Sequence, residues 1–484
     1  MTALDITVIV LYFTLVLGIG AYFAQRQAGP TDYFLGRHEL PWWAVMLSIV
    51  ATETSALTVI SVPGLAARGN LTFLQLSFGY LLGRIGVAVW LLPGYFRGEQ
   101  ETAYARLEAR FGPNARRAAS GVFMVVRALG DSVRVFATAI PLAVVTGWSV
   151  PASILVIAAV TLAYTLAGGL KAVVWVDALQ LAIYVLGGVA TLVVAAQMAG
   201  GFGTALGAAA EAGKLRVINW DLSFSSTYTI LGGLVGGALL SAASHGTDHL
   251  IVQRLLATPS LRDARRALVV SGVVVIAQFA LFLLLGTLLW AAHAAGSEAG
   301  ATGSGDAILP RFVVDSMPSG LAGFVVAGIL AAAMSSSLSA LASATTHDFY
   351  APLSGRRDEK RLLDVGRWAT IFWAIALGGG ALFFRRSGQP VVELALSIAS
   401  ITYGGLLGTY ILSGVVPRAR ERDAILAIAL TTLIMLVVVL LKPGPFAHLA
   451  WPWYVPMGTA IAVMVGFVSS LVGNSGWAVK RLDG

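Results

Sequence analysis

Ser336, Ser339 and Ser343 recur at i, i+3 and i+7 in the stretch Ala331-Ala-Ala-Met-Ser-Ser-Ser-Leu-Ser-Ala-Leu-Ala-Ser343, with Ser337 beside them. On a helix that spacing puts three hydroxyls on one face. The surrounding segment, from about Leu321 to Tyr350, is apolar, so each hydroxyl needs a partner. Two readings answer that need. In one, the hydroxyls bond back to i−4 carbonyls and the small residues let a neighbouring helix approach closely. In the other, hydroxyl and carbonyl oxygens hold a hard cation.

Ionisable groups occur in other apolar stretches, where they are costly and usually functional. Glu53 lies in the polar run Ser48-Ile-Val-Ala-Thr-Glu-Thr-Ser-Ala-Leu-Thr-Val-Ile-Ser-Val-Pro-Gly64, near Thr52, Ser55 and Thr58. It either faces a cavity or caps a half-helix, where the dipole favours an anion. Gln75 follows on the next apolar segment. Arg127, Asp131 and Arg134 fall at i, i+4 and i+7; they form a closed ion-pair triad, or leave one guanidinium to grip a carboxylate bidentately. Arg84 is a candidate for a similar internal pair. His245, Asp248 and His249 resemble a two-histidine metal motif with the acid displaced. A hydrolytic zinc site would need a third ligand and a general base. The chain has no cysteine, and its other histidines (His38, His293, His347, His448) lie near segment ends.

The elements that position these groups are membrane helices. The chain has 484 residues, 57% of them hydrophobic and only 12% charged, with a mean hydropathy of +0.81. Soluble domains carry about 25% charge. Apolar runs of ~20 residues must be helices, because open backbone polar groups are not tolerated in lipid. About thirteen are expected: 6–25, 41–67, 71–96, 115–147, 151–168, 171–199, 225–254, 265–294, 319–350, 362–384, 389–413, 421–441 and 452–473. The net charge of +8 reflects topology, not nucleic acid. Basic residues concentrate in alternate connections, among them Arg97, Arg106, Arg110, Arg116, Arg254, Arg262, Arg265, Arg266, Arg356 and Arg357. By the positive-inside rule that side is cytoplasmic, so the N-terminus is outside and the C-terminus inside. The first apolar run is read as a retained helix, since Met1 to Thr7 lacks a basic region. The outer stretches 200–224 and 295–318 are expected as loops, too small to hold a core.

Two segments are interrupted: the second, closed by Pro63-Gly64, and the seventh, Gly232-Gly-Leu-Val-Gly-Gly-Ala-Leu-Leu-Ser-Ala-Ala-Ser-His-Gly-Thr-Asp-His249. They begin two consecutive five-helix groups, 41–199 and 225–413, that run in opposite senses. Matched broken helices in inverted halves point to a transporter with its site at mid-membrane.

Several stretches resemble the sodium/solute symporters, the family of sodium/glucose cotransporters and of bacterial proline, pantothenate and sialic acid symporters. They are Asp32-Tyr-Phe-Leu-Gly-Arg-His-Glu-Leu-Pro-Trp-Trp43, Ala51-Thr-Glu-Thr-Ser-Ala56, Gly168-Gly-Leu with Trp175, Asp177 and Gln180, Gly246-Thr-Asp-His-Leu-Ile-Val-Gln-Arg254, the serine helix, and His347-Asp-Phe-Tyr350. The resemblance implies an all-α membrane protein of the LeuT-type 5+5 inverted-repeat fold. One domain then spans 1–484: a peripheral helix (1–25), repeats over 41–199 and 225–413, and two peripheral helices (421–473). It implies a sodium site with backbone carbonyls of Ala51, Thr54 and Ala333 and the hydroxyls of Ser336 and Ser337, a neutral oxygen set suited to an ion that must also leave. A second sodium or coupling site would use Asp177 and Ser339, but Ala340 stands where two-sodium members carry another hydroxyl. Asp177 would otherwise sense protons or close an inner gate. Substrate contacts are expected from Thr52, Glu53, Ser55, Thr58, Gln75, Arg127, Asp131, Arg134, His245 and Asp248. Leu57 replaces the polar side chains of sugar-transporting relatives, which disfavours glucose, and many relatives have Thr-Asp-Gln where this chain has Thr-Asp-His.

The expected function is sodium-coupled import of a small polar organic solute, either a carboxylate of the sialic acid, amino acid or monocarboxylate type or a sugar, with Na+ as coupling ion and no organic cofactor. The partners are that solute and the lipid bilayer, and the place is the cell membrane (in a bacterium, the inner one). Proton-coupled or passive transport is the alternative, and an intramembrane zinc hydrolase the most distant one.

Overall fold

The computed structural model describes residues 2–24, 29–54, 56–97, 100–296, 305–331, 337–355, 358–384 and 391–479. Every regular element among them is helical. The long ones are α1 (Ala3–Ala24), α2 (Trp42–Glu53), α3 (Ala56–Arg68), α4 (Leu74–Tyr95), α5 (Pro113–Thr146), α6 (Val150–Met198), α7 (Gly237–Gly246) and α8 (His249–Leu256). After them come α9 (Leu261–Ala294), α10 (Leu321–Ala331), α11 (Ser337–Ala344), α12 (Glu359–Ala381), α13 (Val391–Val415), α14 (Glu421–Leu441) and α15 (Tyr454–Val479). Among the described residues, seven helices are long and apolar enough to cross a bilayer, and the pair formed by α2 and α3, bent by 58°, makes an eighth.

The difference from thirteen has physical causes. At ~1.5 Å per residue, the 49 residues of α6 reach about twice the ~30 Å of a hydrocarbon core. The helix turns at Gly169 (φ 57°, ψ −155°), a conformation open to glycine, so the expected segments 151–168 and 171–199 meet there. Helix α5 carries the Arg127, Asp131 and Arg134 charges. Two other expected crossings are interrupted: α7 from α8 at Thr247, and α10 from α11 by residues that are not described.

Both expected breaks in the two matched segments occur. Helix α2 ends where Thr54 leaves helical geometry (φ −82°, ψ 80°). Helix α7, preceded by a π-helical turn at Gly232–Gly236, ends at Thr247 (φ −129°, ψ −15°). Asp248 restarts the chain as the N-cap of α8, its Oδ1 accepting from Leu250 N at 2.9 Å. Helix α4 lies against α7 through glycine: a Cβ on Gly83 would stand 2.2 Å from the Ala238 carbonyl oxygen. Helices α2, α6 and α9 pack together, and α13 packs on α14 and α15.

The outer stretches hold more structure than loops. Short helices occupy Phe202–Glu211 and Ile308–Ser316. Their Ala- and Gly-rich flanks read as linker, yet Ala205, Leu309 and Phe312 are buried against the bundle. Beyond the first of them Lys214 is covered, and its ammonium donates to Ala67 O (2.8 Å) and Gly69 O (3.1 Å) at the C-terminal end of α3. Burial pulls its pKa below the usual lysine value.

Candidate functional site

The two breaks face a cleft also walled by α4, α5, α9 and α13, with about 1110 Å³ of empty space including the part open to solvent. Its lining runs from Phe73 before α4 and Val392 in the first turn of α13 to Asp248, Leu250 and Ile251. Thr52, Glu53, Thr58, Arg127, Asp131, Arg134, His245 and Asp248 all line it. Gln75 does not. Its amide nitrogen donates to Thr72 O (3.0 Å) and Tyr228 O (3.3 Å), and its oxygen accepts from Asn219 N (3.0 Å), tying α4 to the outer loop. Ser55, Ala333 and Ser336 lie outside the described residues.

Glu53, at the end of α2, is ion-paired with Arg84 of α4, whose guanidinium is wholly buried and donates to Ser271 Oγ of α9 at 2.7 Å. A charge this deep is tolerated because it is paired. His245 Nε2 stands 3.8 Å from Glu53 Oε2, while its Nδ1 lies 2.8 Å from Ser244 Oγ and 3.2 Å from Ser241 O.

On α5 the expected triad forms unevenly. Arg127 is held by Asp248, by Tyr403 Oη (3.2 Å) and by Asp131 Oδ1 (3.6 Å), and Tyr403 donates to Asp248 Oδ2 at 2.7 Å. That triangle clamps α5, α8 and α13 together. Among the described residues, the guanidinium of Arg134, 19% exposed, has Asp131 Oδ1 at 3.5 Å as its one ion-pair contact. Both Asp131 oxygens are buried without a hydrogen-bond partner.

Below the cleft is a second constellation. Ser48 Oγ of α2 donates to Asp177 Oδ2 of α6 at 2.5 Å, and Arg254 of α8 reaches the same oxygen with Nη2 at 3.1 Å. Arg254 also donates from Nε to Ser48 Oγ (2.8 Å) and from Nη1 to Leu250 O (2.6 Å). Arg254 was counted with the cytoplasmic loop charges by sequence; here it is wholly buried inside α8. Its i−4 carbonyl and a carboxylate on another helix satisfy a charge that lipid would not tolerate. Ser48 went unnoticed in the sequence, although it opens the polar run that contains Glu53.

The serine helix turns toward α8. Ser337, Ser339 and Ser343 are fully buried. Ser339 Oγ accepts from Gln253 Nε2 at 3.3 Å. Ala103 N donates to His249 Nδ1 (3.3 Å), so the proton sits on Nε2, which donates to Ser343 Oγ at 3.1 Å. Back-bonding to i−4 carbonyls occurs at Thr345 and Thr346, both 2.8 Å. On the facing helix Ala51 is buried, and Thr54 Oγ1 accepts from Gln278 Nε2 of α9 at 2.5 Å. No sequence signal had marked Gln278 or Tyr403. His245, Asp248 and His249 each go to different partners, and among the described residues no group of three His, Asp or Glu could hold a metal.

A cleft between two broken helices in a helical bundle is the arrangement of a secondary transporter. The sequence profile of the sodium:solute symporter family matches residues 33–441, and the chain belongs to that family. It is 28% identical to sodium-coupled monocarboxylate transporter 2 of Mus musculus, over 87% of this chain and 70% of that one. It is 25% identical to a sodium/sialic acid symporter of Aliivibrio fischeri, over 95% of this chain and 91% of that one. A solved Na+-coupled sialic acid symporter, in a substrate-bound outward-open state, superposes with a TM-score of 0.88 at 25% identity, covering 97% of this chain and 98% of that one. Mhp1, a nucleobase-cation-symport-1 transporter, shares the fold alone, with a TM-score of 0.57 at 13% identity over 94% and 95% of the two chains. The chain is accordingly a multi-pass membrane protein of LeuT-like fold, a sodium-coupled symporter with Na+ as its coupling ion.

Proposed function

We propose that this symporter imports a carboxylate-bearing solute together with one sodium ion, by alternating access. The observation that carries the reading is Arg134, a cleft guanidinium with one long contact and most of its donors unspent. A planar fork with free N–H groups matches a carboxylate bidentately. Sodium would bind between Ala51 and Thr54 on α2 and Ala333, Ser336 and Ser337 around the start of α11. A second ion is not expected: Asp177, the charged ligand it would need, already holds the Arg254 guanidinium. The Asp177–Ser48–Arg254 cluster instead serves as the inner gate, closed while the cleft reaches the outer helix ends. Proton coupling through Asp177 and passive flux are the alternative readings.

Thirteen crossings, an outer N-terminus, inverted repeats over 41–199 and 225–413, and residence in the cell membrane complete the proposal. It is tested by the melting temperature of purified protein in sodium against potassium, across a panel of carboxylates, amino acids and sugars. A ligand at about 100 times its Kd stabilises the native state by ~2.7 kcal/mol. A shift that needs both sodium and a carboxylate supports the reading. A sodium-independent shift, or one produced only by neutral sugars, overturns it.

A further inference from the structure

We infer that the solute is a monocarboxylate with a largely apolar body, and not a polyhydroxylated acid sugar. This rests on the carboxylate reading above and narrows it. Relatives of both kinds match this chain to similar degrees, so the cleft itself has to decide.

Most of its polar groups are already spent. Thr52 Oγ1 donates to Ser48 O at 2.7 Å. Glu53 is neutralised by Arg84, and Arg127, Asp248 and Tyr403 close a triangle on themselves. Ser244 Oγ is taken by His245 Nδ1. Gln75, the one amide expected here, is drawn away with both ends bonded in the outer loop. Beyond Arg134, the Asp131 oxygens and His245 Nε2 are the buried polar atoms here without a hydrogen-bond partner among the described residues. They are too few for a polyol, most of whose hydroxyls would lose water without replacement, which counts against binding.

Most of the remaining wall is apolar. Phe73, Phe123, Leu240, Phe279, Leu396 and Leu406 line the same space. Such a wall removes hydrocarbon or aromatic surface from water. The charges also count acidic groups. Glu53 pairs with Arg84 and Asp248 with Arg127, so among the described cleft residues Arg134 is the guanidinium with donors to offer, and Asp131 beside it repels a second carboxylate. One carboxylate fits where two would not.

The experiment is the same melting assay, on the full-length protein in sodium and in potassium. The probes are phenylacetate, 3-methylbutanoate and hexanoate on one side, and N-acetylneuraminate, glucuronate and gluconate on the other. We expect sodium-dependent shifts from the first set, at half-saturating concentrations at least tenfold below those of the second. Preference for the hydroxylated acids would overturn the inference and leave the carboxylate reading standing. If no acid in either set shifts the protein in sodium, the carboxylate reading fails as well. Arg134→Gln should abolish the acid-induced shift in both sets. A retained sodium-only shift in that variant shows the protein is folded; a retained acid shift removes Arg134 from the site and overturns the inference.

Discussion

Removing the Ser337 hydroxyl takes one oxygen out of the proposed sodium shell and leaves the cleft lining untouched. Ser337→Ala should therefore raise the sodium concentration for half-maximal transport about tenfold, ~1.4 kcal/mol of binding, with the pattern of competing solutes unchanged. Sodium titrations of uptake in proteoliposomes decide this, and an unaltered sodium requirement would remove Ser337 from the shell. Gln278 acts one step further out. Its amide fixes the Thr54 side chain at the residue where the helix breaks. Gln278→Leu leaves that buried hydroxyl without its donor, a loss of about 1–3 kcal/mol, and should weaken sodium binding without changing solute selectivity. Identical sodium titrations for the variant and the parent would exclude this role. At Asp177 the buried pair decides the sign. Asp177→Asn strands the Arg254 charge, and breaking a buried pair costs about 3–5 kcal/mol. Asp177→Asn combined with Arg254→Gln should recover part of that loss in thermal unfolding. If the double variant melts no higher than the single one, the two residues are not coupled. Sequence reasoning reached Glu53 because a carboxylate in an apolar run is conspicuous, and Asp177 through the resemblance to the symporter family. It marked Arg84 for an internal pair but missed what answers Asp177, since Arg254 looked like one more loop arginine, and Ser48 like one more hydroxyl.

Helix ends were legible to within a few residues wherever apolarity changes sharply, as at Glu421–Leu441. The breaks were legible too, because polar and glycine-rich runs cannot continue as lipid-facing helix without internal partners. Less legible was which helices touch. Periodicity says that α4 and α7 each have a small-residue face; it does not say that Gly83 meets Ala238. That approach makes a specific demand. With a Cβ only 2.2 Å from a backbone oxygen, Gly83→Ala forces the two helices apart, and overpacking of this kind costs about 1–3 kcal/mol or more. The variant should melt earlier and lose solute binding together with stability, because α7 leads directly into the break that holds His245 and Asp248. Wild-type melting of Gly83→Ala would show that this contact is looser than described. Gln75 is the converse case. The resemblance put it among the substrate contacts on the next apolar segment, and the stretch holding Asn219 and Tyr228, far along the chain, draws it away.

For the whole molecule, the proposed orientation rests on the basic residues, and the proposed outward-facing state on the cleft lying beyond the Asp177–Arg254 cluster. The chain contains no cysteine, so any introduced cysteine is the sole thiol. Thr204, on the short helix of one outer stretch, and Ser354, in a basic connection, are both exposed. In right-side-out vesicles a membrane-impermeant maleimide should label Thr204→Cys at once and Ser354→Cys only after permeabilisation. The reverse pattern would invert the topology. Ala399 lines the cleft from α13. With the Asp177–Arg254 gate closed below it, Ala399→Cys should react from outside. If sodium stabilises this conformation, sodium raises that rate relative to potassium, and the ratio of rates bounds the differential sodium affinity of the two states. A bound carboxylate should then slow the reaction by covering the site. Labelling of Ala399→Cys from the inside alone would mean that the gate through Ser48, Asp177 and Arg254 opens in the resting protein, and the proposed order of events would have to be reversed.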